Sequence, residues 1–176
     1  MEKQVLDACC GAKMFWFDKQ YPHALFCDIR DETHTLCDGR VFKISPDSMI
    51  DFRHMPHPDE HFNLVVYDPP HLEIAGGKSW QAKKYGKLER ASWREDLAKG
   101  FNECWRVLKP GGTFLMGDCW QPLVGRIIMN FYMRHSKEGD VKIYSEAEIV
   151  SMLSEYFRNV SWEQIGSTAY IAMGAK

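Results

Sequence analysis

The residues Asp68-Pro69-Pro70-His71 close the apolar run Phe62-Asn63-Leu64-Val65-Val66-Tyr67. Proline fixes φ and has no N–H to donate, so two in succession end a strand and stiffen the turn after it. What remains at the strand's carboxyl edge is one carboxylate and bare carbonyls. Rigid acceptors of that kind suit an –NH2 group, whose two N–H bonds they can grip while its lone pair points elsewhere. Taken alone, the same residues are equally well read as a turn that only ends a strand. A second acid stands in Val5-Leu6-Asp7-Ala8-Cys9-Cys10-Gly11-Ala12, a short apolar strand running into small residues. Small residues let a ligand approach the backbone, and Gly11 can adopt φ > 0. A third acid ends Ala24-Leu25-Phe26-Cys27-Asp28. That spacing past a glycine turn is where α/β folds place an acceptor for ribose hydroxyls. A fourth follows Ser48-Met49-Ile50, as Asp51-Phe52. Four acids ending four strands at one edge amount to a site.

Positioning them requires a parallel sheet. The order of elements alternates strand and helix, which predicts a doubly wound α/β fold with helices on both faces. Strands are expected near 4–8, 24–28, 48–51 and 62–68, and a fifth over Thr113–Gly117. A helix holding Met14, Phe15 and Trp16 is expected after the first strand. Trp93, Leu97, Phe101, Cys104 and Leu108 recur at helical spacing and predict a helix near 91–107. Another is expected over 122–133. Ser145-Glu146-Ala147-Glu148 reads as a capping box opening a helix to about Phe157. Val160–Ile165 and Ala169–Met173 alternate and should close the sheet as an antiparallel pair. The stretch 29–47 carries turn signals at Asp38-Gly39 and Ser45-Pro46-Asp47 and has no assigned element.

In combination these motifs resemble the class I S-adenosylmethionine-dependent methyltransferases, over nearly the whole chain. Asp7 to Ala12 is similar to that family's glycine-rich first motif, with Cys9 and Lys13 in its first and third glycine places. Asp28 matches its ribose-binding acid, and Asp51 and Phe52 match residues beside adenine. Arg106-Val107-Leu108-Lys109-Pro110-Gly111-Gly112 is similar to its Leu-Lys-Pro-Gly-Gly turn. The resemblance implies a Rossmann-like, mostly parallel seven-stranded sheet and S-adenosylmethionine as cofactor. It implies Asp7, Cys9, Gly11, Asp28, Asp51 and Phe52 as cofactor-binding residues, with Lys13 as a charge available to the methionine carboxylate. Asp68, Pro69 and His71 would carry the chemistry on an amino group. Residues 1–110 look closest to small methyltransferases of bacterial and phage genomes. The last third looks closer to small-molecule methyltransferases such as those of quinone biosynthesis.

The segment after Pro70 bears on the acceptor. Five basic residues lie between 78 and 90 against one acid, interleaved with Trp80 and Tyr85. Basic side chains neutralise phosphates and aromatic faces stack on bases. With Gly76-Gly77 as a hinge, residues 72–90 read as a lid, and Trp80, Lys83, Lys84 and Tyr85 as substrate contacts. DNA or RNA, through adenine N6 or cytosine N4, is the favoured acceptor. A small-molecule acceptor is the alternative, and a non-catalytic cofactor-binding module is another. A solvated loop with a few lysines would account for the same composition.

The remaining features set bounds. At 176 residues, 45% hydrophobic and 26% charged, the chain is long enough for one domain with a sizeable core. A net charge of −2 supplies no global attraction for polyanions. No apolar run is long enough to span a membrane, and the expected location is the cytoplasm. Six cysteines without a Cys-x-x-Cys pair read as reduced thiols. His54, His57 and His61 are interrupted by Pro56 and Pro58, which keep them off a common helix face, so no metal site is expected.

Overall fold

The computed structural model describes all residues except 1–2, 37, 75, 77–78, 120, 136–138, 141–142 and 168. In chain order the elements are β1 (Val5–Asp7), β2 (Ala24–Asp28), β3 (Glu32–Thr35), β4 (Val41–Ile44), β5 (Ser48–Met49), β6 (Phe62–Val66) and β7 (Leu72–Ile74). Helices α1 (Trp80–Tyr85) and α2 (Trp93–Val107), then β8 (Leu108–Cys119), α3 (Leu123–His135), β9 (Gly139–Asp140), α4 (Glu146–Leu153), β10 (Arg158–Ile165) and β11 (Ala169–Ala175) follow.

Seven strands form the main sheet in the order β10-β11-β8-β6-β1-β2-β5. Strands β5, β2, β1, β6 and β8 are mutually parallel, and β11 runs antiparallel to both β8 and β10. This is the expected mostly parallel sheet with its antiparallel pair, and helices pack around it. Strand β1 lies between β2, which follows it, and β6, which arrives much later. The chain therefore reverses its direction of winding there, and in open α/β sheets the ligand crevice opens at that point.

Register explains the core. Leu6 pairs with Val65, and Val65 with Phe114, so one face presents a continuous apolar row. Helix α2 lays Phe101, Cys104 and Val107 on that row, and α4 adds Ile149 and Leu153. Each fully buried side chain of this size contributes about 1.5–3 kcal/mol. Helix α4 begins with the predicted capping box: Ser145 Oγ accepts from Glu148 N at 3.3 Å, and Glu148 Oε2 accepts from Ser145 N at 2.8 Å. It ends at Leu153, a turn earlier than expected.

Three expectations differ from the structure. Residues 11–15 form turns, with no helix after β1, and Lys13 adopts φ +56°. That left-handed backbone cannot continue a right-handed helix, and it falls where the resembling motif carries glycine. Glu32–Thr35 and Val41–Ile44 pair as the β3–β4 hairpin, with Gly39 between them at φ +83°. The Lys109-Pro110-Gly111-Gly112 turn lies inside β8 as a bulge. Phe62 pairs with Leu108 but Leu64 with Thr113, and Gly111 takes φ +76° to accommodate the extra residues.

Among the described residues no helix is long and apolar enough to cross a membrane. Cys9, Cys10, Cys27 and Cys104 are free thiols. His57 and His61 stack 6.2 Å apart, both edge-on to Phe62. Among the described residues no His, Cys, Asp and Glu group converges as a metal set.

Candidate active site

Strand β6 stops at Val66, Tyr67 is fully buried behind it, and Asp68-Pro69-Pro70-His71 emerge at the carboxyl edge. All four line two cavities at once. The smaller cavity, about 110 Å³, is bounded by Asp7, Cys9, Gly11, Asp28 and Phe52 on the sheet side, with Lys84 to Lys87 across from them. The larger, about 330 Å³, is lined mainly by apolar and aromatic residues of α2, α4 and the segments flanking α4, together with Asp118, Arg94 and Glu155. The Asp-Pro-Pro-His segment is thus the partition between the crevice and an aromatic-lined chamber.

Asp28 is 6% exposed and heavily engaged. It accepts from Gly11 N at 3.0 Å, Arg30 N at 2.9 Å and Arg30 Nε at 3.2 Å. The first bond holds the glycine turn against β2. Asp7 is 2% exposed, and burial pushes its carboxyl up to about 7, partly offset by the Trp16 indole, which donates to it at 2.7 Å. Cys9 N also reaches Asp7 Oδ1, at 3.3 Å. Asp7 therefore braces the turn as well as facing the crevice. Asp68 opens to water through the cavities, yet protein encloses it elsewhere, and its carboxyl is pushed up to about 7. Desolvation is the main cause, and the charges of Asp118 and Asp7 act in the same direction. Burial also pushes the Cys9 and Cys10 thiols up, so neither is a thiolate nucleophile.

Two residues expected on the cofactor side stand outside the crevice lining. Asp51 does not line the crevice; its carboxylate is held by Arg53, which donates Nε to Oδ1 at 2.9 Å and Nη2 to Oδ2 at 2.7 Å. Its neighbour Phe52 does line it. Lys13 Nζ sits over the Phe26 ring at 4.1 Å and 3.6 Å from Asp47, turned away from the crevice.

The 79–88 segment packs over this edge. Ser79 caps α1 by accepting from Ala82 N. The Lys83 carbonyl accepts from Arg30 Nη1 at 3.2 Å, which ties α1 to the Asp28 cluster. Tyr85 lies against His71, with ring centroids 5.1 Å apart. Gly86 has φ +79°, and a Cβ there would come 3.0 Å from Pro70, so glycine alone suits this contact. Lys84 donates to the Tyr85 hydroxyl at 2.8 Å. Trp80 is 45% exposed on the outer side of α1, outside both cavities. Of the four expected substrate contacts, Lys84 and Tyr85 reach the crevice. Lys83 reaches the site through its backbone, and Trp80 stands away from it.

Sequence reading missed three site residues. Asp118, near the end of β8, obeys the same rule of acids at strand ends that picked out the others. Arg30, two residues past Asp28, had no distinguishing signal. Trp16, expected in a helix, carries no sequence signal for its bond to Asp7.

No family model matches the sequence, and no curated protein matches it. Solved structures do. An S-adenosylmethionine-dependent methyltransferase of Methanosarcina mazei aligns with TM-score 0.56 and 12% identity over 99% of this chain and 92% of its own. A methyltransferase of the same dependence from Thermotoga maritima gives 0.57 and 12% over 100% and 83%. The N-methyltransferase NodS of Bradyrhizobium japonicum gives 0.54 and 16% over 98% and 84%. At these identities the likeness establishes the fold: the chain has the fold of S-adenosylmethionine-dependent methyltransferases.

Proposed function

We propose that this chain is an S-adenosylmethionine-dependent methyltransferase acting on an amino group, with adenine N6 or cytosine N4 of a nucleic acid as acceptor. The observation that carries this reading is the shared wall: one rigid acceptor segment separates a crevice fitted for a nucleoside from a chamber fitted for a flat ring. We read the chain as one domain, with the 72–90 segment as its lid.

The residues present fit the cofactor. Asp28 offers a buried carboxylate for ribose hydroxyls, the Gly11 turn allows close backbone approach, and Phe52 offers a ring face. When bound, S-adenosylmethionine supplies an electrophilic sulfonium methyl. Ligand sites are usually about 300–1,000 Å³. The crevice is narrower than that while Lys84 to Lys87 lie across it, so the lid must lift to admit the cofactor.

Little is asked of the protein beyond placement, which can supply up to about 7–11 kcal/mol. The carboxylate of Asp68 and the carbonyl of Pro69 accept the two amine N–H bonds and aim the lone pair across the partition. An amine that had gained a methyl group would carry an acidic proton. Asp68, with its carboxyl near 7 and open to water, receives it and passes it to solvent. His71, packed on Tyr85, stacks against the acceptor ring. A duplex base would have to be flipped out to enter.

The aromatic lining and the size of the chamber equally suit a small aromatic amine, which is the second reading. Methyl transfer from labelled cofactor, screened across DNA, RNA and metabolite pools, decides between them. Label in oligonucleotides supports the first reading, and label confined to metabolites supports the second.

A further inference from the structure

A third concavity lies beside the crevice and continues from it through Gly11, Ala12, Met14 and Lys84. It encloses about 690 Å³ between the 11–20 turn, the β3–β4 hairpin and α1. Its walls carry Lys13, Lys19, Arg40, Lys43 and Lys84 and no acidic residue, and Trp80 stands at its side. The chain as a whole is net negative, so this concentration does not follow from composition. Asp47 sits 3.6 Å from Lys13, and Asp38 pairs with Arg40, both reaching in from outside the lining. Among the described residues Lys19 and Lys43 form no ion pair. Five cations from three separate segments, with Lys19, Lys43 and Lys84 in no ion pair among the described residues, give this concavity a positive local potential that a net-negative chain does not have elsewhere by default.

We propose that this groove holds the phosphodiester backbone of a single-stranded nucleic acid, with Trp80 stacking on one of its bases. The proposal rests on the nucleic-acid reading of the acceptor and says where the strand lies. Cationic walls that track phosphates, with an aromatic face beside them, are how single strands are bound without sequence preference. The groove also leads to the partition. Lys84 Nζ bonds the Tyr85 hydroxyl, and Tyr85 packs on His71, which lines both other cavities. A strand in the groove would thus run on the crevice side of the partition, and its target base would have to cross to the chamber at Asp68.

The test is fluorescence anisotropy of a labelled single-stranded oligonucleotide with the full chain, read across a salt series. Wild type should bind with a steep dependence on salt. Lys19→Ala with Lys43→Ala should lower the slope of log K against log salt by about 1.4, since each single-strand phosphate contact contributes about 0.7. The double Lys→Arg variant should restore it, and Lys99→Ala, outside the groove, should leave it unchanged. Trp80→Ala should weaken binding about five- to 150-fold, the range for one stacked base, and Trp80→Phe should recover most of it. An unchanged slope in the double alanine variant overturns the proposal. So does full affinity in Trp80→Ala with equal competition by heparin, which would mark generic polyanion binding. Cofactor affinity measured on the same samples separates the two claims. Its absence in wild type would sink the methyltransferase reading and leave the groove result standing.

Discussion

The indole Nε1 of Trp16 donates to Oδ2 of Asp7 at 2.7 Å, across the turn that links β1 to β2. The bond recruits Trp16 onto Phe26, whose ring it meets edge-on at 5.0 Å, and pins the turn over the sheet. It also holds a carboxylate where ionisation is disfavoured, pushed up to about 7 by burial. Folding therefore favours the neutral acid. The stabilisation is fully present below the unfolded value near 4 and is lost as pH rises through 7. Asp7→Asn keeps an acceptor for Trp16 and cannot ionise. The variant should match wild type near pH 4 and be more stable at pH about 8, by at most about 4 kcal/mol. Thermal melts at the two pH values check this, and equal stability at the higher pH would refute it.

Asp28 joins the glycine turn, Arg30 and the expected ribose contact. Asp28→Ala should weaken S-adenosylmethionine binding by about 1–3 kcal/mol in calorimetry, because a charged acceptor is lost. Arg30→Ala frees the Lys83 carbonyl and should loosen α1, seen as faster proteolysis of the 72–90 segment. Unchanged affinity in Asp28→Ala would remove Asp28 from the site.

Asp68 should belong to the chemical step. Asp68→Ala is expected to leave cofactor affinity nearly intact while turnover falls about two to three orders of magnitude, as for loss of one preorganised polar contact. The ionised form is the acceptor, so wild-type turnover should rise with pH and level off above about 7. Asp68→Asn should flatten that rise. It should be milder than alanine if Asp68 only orients the amine, and equally severe if it takes the proton. Full methyl transfer by Asp68→Ala would rule out the mechanism.

Gly100 on α2 faces the Tyr67 hydroxyl so closely that a Cβ would overlap it and come 2.7 Å from Phe52. Alanine normally gains about 1 kcal/mol over glycine in a helix interior. Here overpacking, typically about 1–3 kcal/mol, should win, and Gly100→Ala should lower Tm. The Tyr67 hydroxyl is buried without a hydrogen-bond partner among the described residues. Tyr67→Phe should therefore be neutral or stabilising, and it should soften the Gly100→Ala penalty in a double-mutant cycle. Additive effects would mean that the two do not share this space.

Much of this site was legible because acids at strand ends are a local signal. Asp7, Asp28 and Asp68 each follow an apolar run and reach one edge. Asp51 obeys the same rule but stands outside the crevice lining, because β5 is only two residues long and Arg53 holds the carboxylate. Asp118 was passed over because Gly117 read as the end of its strand. The helix expected after Gly11 rested on three consecutive apolar residues, which is not helical spacing, and the Trp16–Asp7 bond decided their place. The Asp38-Gly39 pair between alternating residues is a hairpin signal that could have identified β3–β4. Composition showed a basic 78–90 segment. It could not show that the Lys83 backbone and the Tyr85 ring anchor it, since Arg30 lies 53 residues away in the chain and His71 meets Tyr85 only because the chain folds back on the Pro-Pro turn.

Strand β11 lies between β8 and β10 although it follows both in the chain. During synthesis β8 and β10 are therefore complete while the place between them is vacant, and each offers a bare row of backbone donors and acceptors. Such rows are templates for pairing with other chains. The interval before Ala169–Ala175 emerges is thus the period of greatest exposure to intermolecular pairing, and the strand that ends it also completes the row beside Phe114. Any state in which β11 is undocked keeps every crevice residue but leaves the sheet with two open seams.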